Sequence, residues 1–287
     1  MLTNKLNLPQ QFVDFCSQEH SFKDKRYSAT TILKGVRENL LYRRHYKEID
    51  EDVADKIWLI FGTLCHELLE HSQEANDELK ETLISVDLPN GYTLSGKQDL
   101  YSESKKRITD FKTGSVWKIQ FDDFEDYRKQ LLIYAWMFRK LGFEVDNGEI
   151  IMILKDHSKT KAKTDPKYPQ VPVYVKHFDF TEQDFNDIEQ FILTKFDEIA
   201  KYESVEDDLL PICSKEERWA TDTKYAVMKK GRKTAVKLFD SLEEAESMAD
   251  TDSSFSVETR EGTDKKCSEY CSCCEFCSYW REKYGNL

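Results

Sequence analysis

Asp110-Phe111-Lys112 places an acid and an ammonium two residues apart, and Gly96-Lys97-Gln98-Asp99 supplies a second acid eleven positions upstream. Residues two apart on a strand face the same side, so Asp110 and Lys112 project together while Phe111 points to the opposite face. If the two segments pair as a hairpin, Asp99 comes close to Asp110, and two carboxylates and one ammonium converge at a sheet edge. Phosphodiester hydrolysis has a use for such a set. It needs a hydroxide nucleophile near neutral pH and neutralisation of the charge that builds on the phosphate. A divalent cation held by two carboxylates supplies both. A neighbouring Lys holds the attacking water, and the Phe111 carbonyl offers a further oxygen ligand. Alone, the triplet is also compatible with a surface charge pair.

The segment Gly62-Thr63-Leu64-Cys65-His66-Glu67-Leu68-Leu69-Glu70 sharpens this. His66 and Glu70 are four apart, hence on one helix face. A histidine among Leu64, Leu68 and Leu69 is either a core residue or a third, nitrogen ligand to the cation, with Glu70 hydrogen-bonded behind it. Gln130 and Tyr134 are again four apart. They form either one turn packing on the sheet or a polar pair at the metal site that contacts a nucleic-acid backbone.

Of eight cysteines, five fall between Cys267 and Cys277, and Cys213 follows Pro211 upstream. Four thiolates hold either Zn²⁺ or a [4Fe–4S] cluster. A structural zinc site favours two separated C-x₂-C pairs, which this arrangement fits poorly. The tail offers two triplets, Cys267, Cys271 and Cys277 or Cys271, Cys274 and Cys277. Cys16 and Cys65 read as ordinary buried or partly buried cysteines.

These residues need elements to position them. Residues 1–27 read as a polar lead-in. Ser28 reads as the cap of a helix over Ala29 to Leu33, a second helix runs through Val36 to Arg44, and Asp55 begins the strongest early helix. Leu83 to Leu88, Tyr92 to Tyr101 and Arg107 to Phe111 read as three strands. A helix from Phe124 to Leu141 follows, then strands at Glu149 to Leu154 and Val171 to Phe180, and a helix capped by Thr181. Lys155 to Pro169 reads as a mobile basic loop. After Leu210 come a hairpin over Tyr225 to Phe239, a short helix from Ser241 and the cysteine tail. The order α–βββ–α–β–β–α implies an α/β fold with a mixed sheet flanked by helices. The expected domains are a lead-in (1–27), a core (28–210) and a C-terminal hairpin and cysteine module (211–287).

A net charge of −12 argues against indiscriminate polyanion binding by the whole surface. Lys155, Lys159, Lys161, Lys163 and Lys167 form one basic segment, and Lys229, Lys230, Arg232 and Lys233 another. They are either solvated faces or the walls of a groove for single-stranded DNA, with Tyr168 or Trp117 as a stacking face. No base-reading motif is visible, so backbone binding is expected. No apolar run approaches the roughly 20 residues of a bilayer span, and the start of the chain lacks a signal-like pattern, so a cytoplasmic protein without membrane association is expected.

The series Gly62 to Glu70 (GTxxHxxLE), Gly96 to Asp99 (GxxD), Asp110 to Lys112 (DFK) and Gln130 to Tyr134 (QxxxY) resembles the RecB-like branch of the PD-(D/E)XK nucleases. Spacings of 33, 11, 2 and 18 residues along His66, Asp99, Asp110, Lys112 and Gln130 suit that family. Gln98 stands where Pro is common. The resemblance implies a restriction-endonuclease-like fold, Mg²⁺ or Mn²⁺ on His66, Asp99 and Asp110, and a catalytic Lys112. A lone upstream cysteine with three near the C-terminus is similar to the iron–sulfur members, including CRISPR-associated, helicase-linked and phage-encoded exonucleases. That likeness implies a [4Fe–4S] cluster on Cys213, Cys267, Cys271 and Cys277, with Zn²⁺ as the alternative. The expected function is a metal-dependent DNase, an exonuclease on single-stranded ends in a bacterial or phage-encoded setting, with a recombination or helicase partner. The alternatives are a structure-specific endonuclease and a non-catalytic DNA-end-binding subunit.

Overall fold

The computed structural model describes residues 2–17, 22–70 and 77–285. In chain order the elements are β1 (Leu2–Thr3), α1 (Gln10–Cys16), β2 (Arg26–Ser28), α2 (Val36–His45), β3 (Glu51–Asp52), α3 (Ile57–Glu70), β4 (Glu78–Asp87), β5 (Thr93–Ser102), β6 (Arg107–Gly114), α4 (Val116–Gln120), α5 (Glu125–Lys140), β7 (Asn147–Leu154), α6 (Lys159–Thr164), β8 (Val173–Asp179), α7 (Glu182–Tyr202), β9 (Lys224–Lys229), β10 (Lys237–Phe239), α8 (Leu242–Ala249), β11 (Phe255–Arg260), α9 (Lys265–Glu269) and α10 (Ser278–Tyr284). They cluster into two compact units. One comprises Met1–Lys34 and Asp50–Ser204, the other Gly35–Ile49 and Val205–Leu287.

The first unit is a mixed α/β fold around a six-stranded sheet ordered β2-β5-β6-β7-β8, with β4 on the other edge of β5. β6 and β7 run parallel, as the intervening α5 crossover requires, while β5–β6 and β7–β8 are antiparallel. α5 buries Leu131, Ile133, Met137 and Phe138, and α7 buries Ile188, Ile192 and Phe196. These apolar stripes, together with Ile108, Ile150 and Met152 of the sheet, form the core. Thr181 starts α7 through a reciprocal capping box with Asp184.

One edge of β5 decides where the site lies. β2 pairs in parallel with Thr93 to Ser95, and β6 pairs with Leu100 to Ser102. Gly96, Lys97, Gln98 and Asp99 fall between these two partners.

Several local expectations change. Ser28 ends a strand and is followed by turns, not by a helix, because Arg26 to Ser28 pair with residues nearly seventy positions on. Asp52, not Asp55, caps the approach to α3, accepting from the Ala54 amide at 3.0 Å. α3 leaves Leu64 half exposed at 49%. The basic segment after Lys155 holds a helical piece, α6, capped by Ser158.

The second unit contains a three-stranded sheet, β10-β9-β11. The hairpin is as expected, and β11 completes it. This unit also takes α2, so residues 35–49 group with the C-terminal residues and not with the stretch 28–210.

Candidate functional site

Asp110 and Lys112 alternate onto one side of β6, where the Lys112 ammonium pairs with Asp110 Oδ2 at 2.6 Å. Gln130 on α5 donates from Nε2 to Asp110 Oδ1 at 3.0 Å. Both carboxylate oxygens are thus engaged at a position only 4% exposed. Four residues along the same helix, Tyr134 donates to the Lys97 carbonyl at 3.0 Å. Its ring lies over Gly96, where a Cβ would sit 2.6 Å from the ring edge. Gly96 therefore permits α5 to approach β5 closely, and that approach brings Gln130 to Asp110.

Asp99 reaches across the unpaired stretch of β5. Its Oδ2 accepts from the Phe111 amide at 2.7 Å and lies 3.4 Å from His66 Nδ1. His66 rides on α3, so the helix and both strands meet at Asp99. Burial, then the Asp110 carboxylate, push Asp99 up to about 7 against the pull of the Phe111 amide and Lys112. Burial disfavours the Lys112 charge, but Asp110 outweighs it and holds that ammonium above its ordinary value. Burial followed by the charges of Asp110 and Asp99 also raises Tyr134.

One further side chain joins the site. His66, Glu81 and Asp99 each place a ligand atom within 4.8 Å of the other two. Asp110 stands outside that trio, held by Lys112 and Gln130. Two carboxylate oxygens and an imidazole are a donor set suited to Mn²⁺ or Mg²⁺. Glu81 has no sequence motif of its own. Its signal is the β4–β5 register, which pairs Lys80 with Leu100 and Thr82 with Gln98 and so puts Glu81 across from Asp99. The Glu70 side chain lies outside the described residues. A cleft lined by Cys65, His66, Phe111, Lys112, Ile151 and Val173 opens beside the site.

Trp117 on α4 stacks on Phe121 at 5.6 Å and 11°, and both rings are exposed. Tyr168 is buried, with its hydroxyl accepting from the Ser158 amide, so it offers no stacking face. Lys155 lies over the exposed Trp58 ring at 4.3 Å.

In the second unit, Cys213, Cys267, Cys271, Cys273, Cys274 and Cys277 line one cavity. Arg37 on α2 donates to the Pro211 and Leu210 carbonyls, to Ser278 Oγ and to Cys277 Sγ. Lys266 pairs with Glu38 at 2.6 Å in the same lining. Burial pushes Cys213 up to about 12 and Cys267 up to about 11. Cys271 is lowered by its contact with Cys273, 3.6 Å away. A Cβ on Gly35 would stand 2.7 Å from Cys213 Sγ, so this glycine makes room for the thiol. Around one tetrahedral zinc, Zn–S bonds of about 2.3 Å would hold the sulfurs less than about 4 Å apart. Among the described residues, no three cysteine sulfurs lie within 4.8 Å of one another.

Among curated proteins none matches the chain. Its structure is similar to that of SSO0001 (18% identity, TM-score 0.42, covering 64% of this chain and 83% of that one). An alkaline exonuclease from Laribacter hongkongensis is similar at 10% identity and a TM-score of 0.41, over 62% of this chain and 90% of its own. A phage related exonuclease from Haemophilus somnus is similar at 12% identity and a TM-score of 0.31, over 68% and 81%. Residues 63–281, a span that includes His66, the DFK strand and the cysteine tail, match the PD-(D/E)XK nuclease superfamily, and the chain belongs to that superfamily.

Proposed function

We propose that this protein is a divalent-metal-dependent deoxyribonuclease of the RecB-like type, acting as an exonuclease on single-stranded DNA ends. The observation that carries the reading is the meeting of His66, Asp99 and the Asp110–Lys112 pair beside the unpaired stretch of β5. His66, Asp99 and Asp110 would hold Mg²⁺ or Mn²⁺, with the Phe111 carbonyl as a further oxygen. Asp110 remains a competent ligand because each oxygen keeps a lone pair beyond its bond to Lys112 or Gln130. Such a cation, when bound, lowers the pKa of its water and offsets the phosphate charge. Lys112 holds the attacking water and favours its deprotonated form. Gln130 fixes Asp110, the Phe111 amide fixes Asp99, and Tyr134 holds β5 at Lys97, so the acids are oriented before substrate arrives.

DNA would bind by its backbone, with Lys155 over Trp58 as a cation and the exposed Trp117–Phe121 stack as an aromatic platform in the first unit. In the second unit, the cysteine cavity with its buried Arg37 and half-buried Lys266 supports a [4Fe–4S] cluster on Cys213, Cys267, Cys271 and Cys277, since those cations offset thiolate charge. No helix among the described residues is long and apolar enough to cross a membrane, and a cytoplasmic, bacterial or phage-encoded setting with a recombination or helicase partner completes the proposal.

The test is incubation with end-labelled linear and with circular single-stranded DNA, in Mn²⁺, Mg²⁺ or EDTA. The expected result is metal-dependent loss of the linear substrate with circles spared. Linearised circles would indicate an endonuclease. Binding without cleavage of either would indicate an end-binding subunit.

A further inference from the structure

We infer that Glu81 is a ligand of the catalytic metal, completing a His66–Glu81–Asp99 set that no motif in the chain announces. The inference rests on the nuclease reading of the site and names one more residue within it. Glu81 belongs to β4, and the ladder runs Lys80 with Leu100, then Thr82 with Gln98, stepping over Glu81 where it stands across from Asp99. At that step its backbone turns left-handed, with φ of 45°. This conformation is unfavourable for a glutamate and unusual inside a strand. Such residues persist where the surroundings over-determine them, and they concentrate at active sites. The register resumes unchanged at Thr82, and the carboxylate ends 14% exposed, within 4.8 Å of both the His66 imidazole and the Asp99 carboxylate.

Lys97 Nζ lies 2.5 Å from Glu81 Oε2. A pure ion-pair role for Glu81 would account for that contact alone. It would not account for a second carboxylate set against Asp99, because the charges of the two acids repel each other. A divalent cation removes the conflict, and Lys97 then holds the carboxylate when no cation is bound. Lys97 is half exposed, at 54% for its side chain, so it is placed to swing away.

The test reads metal binding and not cleavage. Mn²⁺ is titrated into the full chain, and the free ion is followed by electron paramagnetic resonance. Glu81→Gln should weaken binding roughly tenfold or more, the scale of losing a metal-site partner. Lys97→Met, which removes the ion pair but no ligand, should bind Mn²⁺ at least as tightly as the wild type. Glu81→Gly removes the carboxylate while relieving the left-handed backbone. It should unfold no earlier than wild type in EDTA and still lose Mn²⁺ affinity, which keeps the test valid should Glu81→Gln fold poorly. Wild-type affinity in the folded Glu81 variants, with Asp99→Asn weakened, would overturn the assignment. So would equal weakening by Lys97→Met and Glu81→Gln. Undiminished binding in Asp99→Asn as well would instead bring down the nuclease reading of the site itself.

Discussion

The Phe111 amide donates a 2.7 Å hydrogen bond to the Asp99 carboxylate, just beyond the point where β5 and β6 cease to pair at Leu100 and Thr109. The backbone of one motif thereby orients the acid of the other. Phe111 lies between Asp110 and Lys112, so a single residue joins the DFK strand to both acids. The bond crosses a gap in the sheet, where the Asp99 carboxylate takes a backbone donor that a neighbouring strand would otherwise use.

Asp110→Asn keeps the shape of the side chain and removes its charge, and Lys112→Ala removes the ammonium paired to it. Each should lower cleavage by several orders of magnitude, since metal and acid–base terms contribute on that scale. DNA binding, measured by a gel or anisotropy assay, should persist. Wild-type-like cleavage by either variant would reject the active-site assignment.

Imidazole makes the metal site softer than one built of oxygens alone. Mn²⁺ should therefore support at least as much activity as Mg²⁺. In crystals soaked with Mn²⁺, anomalous density is expected beside His66 and Asp99, and an ion remote from both would contradict the proposal.

Gly96→Ala tests the approach of α5 to β5. The added Cβ would meet the Tyr134 ring at 2.6 Å, and overpacking of this kind costs about 1–3 kcal/mol. The melting temperature should fall. Cleavage should fall further than stability alone explains, because shifting α5 also moves Gln130 away from Asp110. A variant with unchanged melting and activity would show that the close approach carries no weight.

The cysteine cavity makes a spectroscopic prediction. Anaerobically purified protein should be brown, and Cys213→Ala should bleach it while Cys273→Ala should not. Gly35→Ala should reduce iron per chain without touching any cysteine, because its Cβ would sit 2.7 Å from Cys213 Sγ. Colour lost with Cys274→Ala but kept with Cys267→Ala would favour the shorter ligand spacing. A colourless preparation holding one Zn²⁺ would reject the cluster.

His45 stacks on Phe276 at 4.1 Å and bonds Asp207 at 2.6 Å and Glu48 at 2.9 Å. Burial works against its charge, but these two acids outweigh it and raise it above its ordinary 6.5. Burial likewise opposes the Asp207 charge, and His45 and Arg44 outweigh it and hold Asp207 below its ordinary 3.8. The His45 contribution is complete below pH 6.5 and disappears as pH rises through the raised folded-state value. The Asp207 contribution is complete above pH 3.8 and disappears as pH falls through its lowered value. Both are present between those limits. The groups are part-exposed, so the effect is small, at most about 1 kcal/mol. His45→Gln should destabilise the protein at pH 5.5 and make little difference at pH 8.5, by denaturant unfolding. An equal loss at both values would assign His45 a packing role alone.

Much of the site was legible in local patterns. Two-residue alternation put Asp110 and Lys112 on one side of β6, and their ion pair follows from it. Helical spacing placed Gln130 and Tyr134 on one turn of α5, and Thr181 announced the start of α7 by its capping box. Each of these depends on residues within a few positions of one another, whose geometry the backbone's own periodicity fixes.

Other features depended on residues far apart in the chain. Ser28 carries a good local helix cap, yet parallel pairing of Arg26 to Ser28 with Thr93 to Ser95 makes it the end of a strand. β11 joins β9 through Val257 and Val227, thirty residues apart, with too little apolar alternation to announce itself. Gly35 is an unremarked glycine until Cys213 comes to rest against it. Glu81 reaches Asp99 only through the register of β4 on β5 and a left-handed residue within the strand. By itself the sequence determined periodicity, caps and the chemical kinds of ligand. Strand register and long-range packing decided which of them meet, because those choices minimise the free energy of the whole chain and leave no mark in any short segment of it.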